Sequence, residues 1–186
     1  LDKDTSGLLV AARNPREAAR LGKAFATRAV EKSYVALVEG VPEPREGVIA
    51  AALKKIETPR GGRMVAVAAH EAGALPAETA WRVLAVRDGG RAALVALSPH
   101  TGRQHQLRAH MKELGHPILG DRLYGRAGSA PRLMLHALCL DLPRADGSRL
   151  VLETPWPESF GPLPDEWTTA SDDRRFAFIE TSSRKT

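Results

Sequence analysis

A carboxylate, Asp2, stands in the run Leu1-Asp2-Lys3-Asp4-Thr5-Ser6-Gly7, directly ahead of the apolar stretch Leu8-Leu9-Val10-Ala11-Ala12. That stretch reads as a buried strand, and a carboxylate at the mouth of a strand is placed for chemistry. A calcium loop is one candidate. Asp2, Asp4, Ser6 and Gly7 fit its opening, but the position that must supply the bidentate carboxylate is Arg13, a cation. An aspartyl-phosphate site would need Thr-Gly after the lysine, and Asp4-Thr5 stands there instead. A carboxylate acting as a covalent catalyst remains, against the bland alternative of an Asx-turn ahead of a strand.

Ser98 to Arg126 is the second reactive stretch, and it holds His100, His105, His110 and His116. Metal ligation is the first thought. His105 and His110 are separated by about 140° around a helix, a poor pair of ligands, and no zinc-protease spacing is present. A Cys139 nucleophile with His136 also fails, since residues three apart in a strand point to opposite faces. The same stretch carries Arg103, Arg108, Lys112, Arg122 and Arg126 against Glu113 and Asp121. Cations gathered at a helix start can bind phosphates, or can simply coat a solvent face. A further basic run, Lys54, Lys55, Arg60 and Arg63, surrounds Pro59 and Gly61-Gly62 and reads as a loop or hairpin.

The elements that must position these groups follow from pattern. Gly7 to Arg13 reads as a strand. Asn14, Pro15 and Glu17 mark a helix start, with Ala18, Leu21, Phe25 and Val30 on its apolar face. Strands are expected over 32–40, 47–53, 64–68, 78–86, 91–97, 132–142 and 150–153, with turns at Asp88-Gly89-Gly90 and Asp146-Gly147. Thr101 with Gln104 forms a capping box, so a helix is expected from about Gly102 to Leu114. Leu107, Met111 and Leu114 would face its core, while Arg103, Gln106 and His110 form a stripe that can face a ligand. No internal repeat or interdomain linker is visible. The chain beyond Thr169 is polar and charged, so residues 170–186 read as a tail.

The 186 residues suffice for one domain with a real core. Lys and Arg number 27 against 22 Asp and Glu, a net charge of +5, and the isoelectric point is near 9.7. That suits a polyanionic partner without demanding one. A single cysteine points to a reducing compartment. No apolar run approaches the roughly 20 residues of a membrane helix, and no signal peptide is evident. A cytoplasmic protein is expected.

Several runs together resemble the RluA-type family of pseudouridine synthases. Leu1-Asp2-x-x-Thr5-Ser6-Gly7-Leu8-Leu9 is similar to its central motif, and Lys32-Ser33-Tyr34-Val35-Ala36-Leu37-Val38-Glu39-Gly40 to its tyrosine motif. Ser98-Pro99-x-Thr101-Gly102-Arg103-x-His105-Gln106-Leu107-Arg108-x-His110 with Gly115-His116-Pro117-Ile118-Leu119-Gly120-Asp121-x-Leu123-Tyr124-Gly125 resembles its long C-terminal motif. Leu133-Met134-Leu135-His136-Ala137 resembles its last core strand. The matches keep the family's order and cover most of Leu1 to Pro157. In the family, His-Arg precedes the Leu-Asp pair, so the chain is expected to be a catalytic domain, residues 1–169, lacking its N-terminal part.

The resemblance implies an α+β fold, with a mixed, mainly antiparallel central sheet flanked by helices. It implies an isomerase that converts uridine to pseudouridine in structured RNA, ribosomal RNA first and transfer RNA second. No cofactor, metal, membrane or obligate protein partner is implied. Asp2 would be the catalytic carboxylate and Arg103 its arginine partner, within about 4 Å, since a nearby cation favours the charged form of a buried carboxylate. Tyr34 would stack on the target base and is a candidate for removing its C5 proton. Arg108, Lys112, His110, Gln106, Lys54, Lys55 and Arg60 are the expected RNA contacts. A non-catalytic RNA-binding module is the rival reading, and a metal-dependent hydrolase a more remote one.

Overall fold

The computed structural model describes residues 1–58 and 61–162. Arg60 and the 170–186 tail lie outside the described residues. Glu31–Glu39 forms strand β2, the β-rich run that the sequence marks most clearly. Val35, Ala36 and Val38 on it are fully buried, as expected of a strand with neighbours on both sides and a covered face. Those neighbours are β7 (Ala92–Pro99) and β8 (Leu135–Pro143), both antiparallel to it. β6 (Glu78–Arg87) and then β3 (Glu46–Ala50) continue the sheet on one side. On the other side β8 pairs with β1 (Ser6–Gly7), the single parallel pairing among the described residues, and with β9 (Arg149–Glu153). The result is a seven-stranded mixed, mainly antiparallel sheet in the order β1-β8-β2-β7-β6-β3, with β9 also on β8. Helix α1 is Pro15–Ala26 and α2 is Gln106–Glu113. The α+β expectation holds.

The strand expected over Gly7 to Arg13 shrinks to two residues. Gly7 pairs with Ala137, and Leu8 donates its N–H to the Ala137 carbonyl. Beyond that point the edge of β8 is taken by β9, which pairs from Cys139 to Pro143. The following apolar residues therefore find no ladder there, and Leu9 is 73% exposed. Gly7 has φ +103, and a Cβ on it would run into the Ala137 backbone, so glycine is what allows the chain to lie this close to β8.

Helix α1 starts as expected, with the Asn14 side chain accepting the Glu17 N–H at 2.9 Å. Its inner face is rotated from expectation. Leu21 and Ala24 pack with Val30 against Leu140 and Leu142, while Ala18 is exposed and Phe25 is 43% exposed. The run 47–53 splits at Ala51. β4 (Ala52–Ile56) leaves the main sheet to form a hairpin with β5 (Arg63–Val67). Leu53 and Met64 pack with Ala77, Ala109 and Tyr124, so the hairpin is fixed against α2 rather than projecting freely. Lys54 and Lys55 lie on β4, in exposed or half-exposed pairs with Glu71 at 3.8 Å and Glu57 at 2.8 Å, which add little stability.

The capping box does not form. Thr101 accepts the Glu78 N–H at 2.9 Å and donates its hydroxyl proton to Gln106 Oε1 at 2.7 Å. With Thr101 so engaged, the chain stays non-helical through Arg103, and α2 begins only at Gln106. Leu107 and Met111 enter the core, as expected.

Candidate active site

β1 anchors the loop that carries Asp2 to the start of β8. The Asp2 carbonyl accepts the Thr5 N–H at 3.0 Å, which makes the loop a tight turn. The Asp2 carboxylate accepts from Arg108 Nη1 at 3.3 Å. Arg108 rises from the first turn of α2, and its side chain is only 7% exposed. It also forms a two-pronged bond to Asp121, Nε to Oδ2 at 2.7 Å and Nη2 to Oδ1 at 2.8 Å. Its guanidinium lies over the Tyr124 ring, 5.2 Å from the centroid.

Asp121 is fully buried and is held in turn by the backbone. Its Oδ1 accepts the N–H groups of Leu123 and Tyr124 at 2.9 and 3.1 Å. A buried ion pair is tolerable only when its remaining polar atoms are satisfied, and here both Asp121 oxygens and all three guanidinium nitrogens have a partner. The Leu119–Gly125 loop therefore fixes Asp121, Asp121 fixes Arg108, and Arg108 fixes the Asp2 carboxylate. Burial alone would lower the Arg108 guanidinium, but the bonds to Asp121 and the charge of Asp2 outweigh it and hold it above its ordinary value. Gly120, at φ +74, lets this loop pass against the Arg132 carbonyl, where any Cβ would collide.

Asp2 and Tyr34 line one pocket, of about 250 Å³, together with Lys32, Arg103, His105 and Gln106. That is at the small end of ligand pockets, a scale for one nucleoside rather than a larger molecule. Tyr34 sits where β8 carries one extra residue, since Ser33 faces Cys139 while Tyr34 faces Ala137. Such bulges re-aim side chains. Burial, and then the charge of Asp2, push the Tyr34 phenol above its ordinary value.

The structure corrects several sequence expectations. The cation on Asp2 is Arg108, not Arg103. Arg103 lines the pocket, but its Nε donates to the Pro76 carbonyl at 3.1 Å. The reason is the late start of α2, which leaves Arg103 on the extended rim and sends Arg108 inward. Arg108 is thus no exposed phosphate contact. Nor are Gln106 and His110, both buried. Gln106 bridges Thr101, Arg103, Glu78 and Thr79. His110 meets the Thr79 hydroxyl at 2.9 Å and the Ala51 carbonyl at 3.4 Å. Lys112 and Lys55 remain exposed and Lys54 half-exposed. Asp121, Tyr124, His105 and Lys32 were not singled out as site residues. Asp121 and Tyr124 carry a signal in Leu119-Gly120-Asp121-x-Leu123-Tyr124-Gly125, whereas the place of His105 depends on backbone geometry that no residue type announces.

His116 and His136 are also engaged. His116 Nδ1 lies 2.7 Å from the Glu39 carbonyl, and His136 lies 2.9 Å from the Ser6 hydroxyl and 2.8 Å from that of Thr154. Burial pushes the Cys139 thiol up to about 12, which makes it a poor nucleophile. Burial also lowers His105, His110 and His136, with Arg132 adding to the shift at His136. A lowered folded-state value means that the unfolded chain binds protons the folded chain refuses. Stability is then full above the ordinary histidine value near 6.5 and falls as pH drops below it. The melting temperature should fall between pH 7 and pH 5, and His110→Gln should flatten that slope. A melting temperature independent of pH over this range would contradict the burial of these rings as neutral groups.

Known proteins place this geometry. The family model described as RNA pseudouridylate synthase matches residues 1–113. An uncharacterized RNA pseudouridine synthase of Zymomonas mobilis is 44% identical over 166 residues, 88% of this chain and 74% of that protein. The dual-specificity RNA pseudouridine synthase RluA of Escherichia coli is 40% identical over 159 residues, 83% of this chain and 70% of that protein. The solved structure of human RNA pseudouridylate synthase domain-containing protein 1 superimposes with a TM-score of 0.73 at 34% identity, covering 84% of this chain and 67% of the other. With matches of this extent in sequence and in structure, the chain belongs to the RNA pseudouridylate synthase family, as a pseudouridine synthase of the RluA type.

Proposed function

We propose that Asp2 is the carboxylate through which this chain isomerises uridine to pseudouridine in structured RNA, ribosomal RNA first. The observation that carries this reading is the Asp2 carboxylate, oriented by Arg108 on the wall of the pocket that Tyr34 also lines. The reaction breaks the N1–C1′ bond, turns the base, joins C5 to C1′, and moves a proton from C5 to the freed ring nitrogen. It is redox-neutral, so the work falls to groups that bind, orient, form a transient covalent bond or carry a proton. Asp2 is placed to attack C1′, to take a proton from C2′, or to attack C6, and the three routes share this geometry. A target uridine must leave its stack to reach Asp2, at a cost of a few kcal/mol, which stacking on an aromatic ring partly offsets.

Tyr34 is the ring we assign to that stacking, on a wall that Phe25 and His105 also line. Its phenol is harder to ionise while Asp2 carries its charge, because that charge, after burial, is a cause of its upward shift. Esterification of Asp2 by the substrate would remove that cause. The phenolate form of Tyr34, the form that can take a proton, would thus be easier to reach after the first covalent step than before it. Lys112 and Lys55, both exposed, stay in place as contacts to RNA phosphates. The cytoplasm is the proposed compartment, consistent with a lone buried thiol.

The test is release of tritium from C5-labelled uridine, with ribosomal and transfer RNA offered separately. Release from ribosomal RNA, with pseudouridine recovered in equal amount, is expected. The dual-specificity name of the Escherichia coli relative supports offering both classes. RNA binding without release from either would favour a non-catalytic binding module.

A further inference from the structure

A second pocket, of about 350 Å³, lies beside the first, lined by Lys3, Asp4, His105, Arg108, Arg122 and Arg132 among others. The two pockets share His105. The Asp2–Arg108 pair links them, since Asp2 lines the first and Arg108 the second. We propose that this second pocket holds the phosphodiester that joins the target uridine to its neighbour, resting on the reading that the uridine occupies the first.

Charge is the first support. Arg108 offsets one of the two carboxylates it binds, Asp121 and Asp2, which leaves Lys3, Arg122 and Arg132 against Asp4 and the other. Arg132 is tied down by Ser6 at 3.1 Å and Ser159 at 2.7 Å. Lys3 and Arg122 are exposed, and among the described residues neither has a hydrogen-bonding or ion-pair partner. Side chains free to turn toward a phosphate are what a backbone contact needs.

Shape and lining are the second. His105 is the one aromatic ring on this wall, so the pocket offers no broad stacking platform. It suits a phosphodiester better than a base.

His105 itself is the third. It takes a left-handed backbone, φ +50, rare for a residue with a side chain. The Tyr124 hydroxyl accepts the Met64 N–H at 2.7 Å, so its own proton points elsewhere, and His105 Nδ1 lies 3.2 Å away. In the neutral tautomer with its proton on Nε2, Nδ1 accepts that hydroxyl proton and Nε2 is left as a donor. Burial, which lowers this histidine, works in the same direction. A donor fixed at the junction of the two pockets is placed to meet the bridging linkage. Sequence order agrees, because Lys3 and Asp4 directly follow the residue assigned to act on the sugar or base.

The test uses short RNA substrates in which one linkage beside the target, 5′ or 3′, is a neutral methylphosphonate. Affinity and kcat/KM are measured for the unaltered protein, for Arg122→Ala, for Lys3→Ala, and for Arg16→Ala as an exposed cation on α1 outside both pockets. Arg122→Ala should lower kcat/KM about tenfold, mostly through KM, and reduce the slope of log affinity against log salt by about one. Neutralising the correct linkage should cost the unaltered protein a similar factor and cost Arg122→Ala almost nothing further. Arg16→Ala should retain the full penalty. Independent, multiplying losses at both linkages, or no effect of either cation, would overturn the phosphodiester site. That outcome is separable from failure of the uridine reading, since RNA affinity is measurable even when no pseudouridine forms.

Discussion

Replacing Asp2 with asparagine should abolish turnover while leaving RNA affinity within about tenfold of the original. The substitution keeps the shape of the side chain and an oxygen that can still accept from Arg108 Nη1. What it removes is the nucleophilic or proton-accepting carboxylate, which none of the three routes can do without. The Asp2 side chain is 21% exposed and anchors no other element, so the melting temperature should change little. Residual turnover above about one per cent, measured on a protein shown to be folded, would move the chemistry to another residue.

Arg108→Ala should have the largest effect on stability. It would leave Asp121, fully buried, without its cation, and breaking a buried pair in this way costs roughly 3–5 kcal/mol. For a chain of this size the melting temperature should fall by about 10 °C or more. Arg108→Lys should recover only part of that, because an ammonium cannot make the two-pronged bond to Asp121 and also reach Asp2. Turnover should fall steeply in both, since among the described residues Arg108 is the side chain that bonds the Asp2 carboxylate. If Arg108→Ala melts within about 2 °C of the parent and merely weakens RNA binding, then Arg108 is a surface phosphate contact after all.

The chemistry-bearing residues are more legible in the sequence than the contacts among them. Asp2 and Tyr34 stand in runs specific enough to name, and the structure brings both to one pocket. Strand β2 and the capped start of α1 follow from local signals, alternation and an Asn-Pro pair, which act within a few residues. Errors arise where a distant partner decides. Leu8 to Ala12 is apolar enough for a strand, but β9 holds the edge it would need. Thr101 has the residue type of a cap, but Glu78, on another strand, claims its hydroxyl oxygen. With that contact in place of the cap, α2 starts at Gln106, Arg108 rather than Arg103 meets Asp2, and Gln106 and His110 lie buried. Helical periodicity cannot reveal it, because the deciding hydrogen bond crosses 23 residues.

The most direct measurement is a structure of this chain with a short RNA carrying 5-fluorouridine at the target. Fluorine cannot leave C5 as a proton does, so the reaction should halt before the final step with the nucleotide in place. The expected result is a flipped fluorouracil against Tyr34, with Asp2 bonded to, or within about 3.5 Å of, C1′, C2′ or C6, and Arg108 still joined to Asp121. A fluorinated base lodged away from the Tyr34 pocket, or one in that pocket whose sugar and ring both lie beyond reach of Asp2, would contradict Asp2 as the catalytic carboxylate.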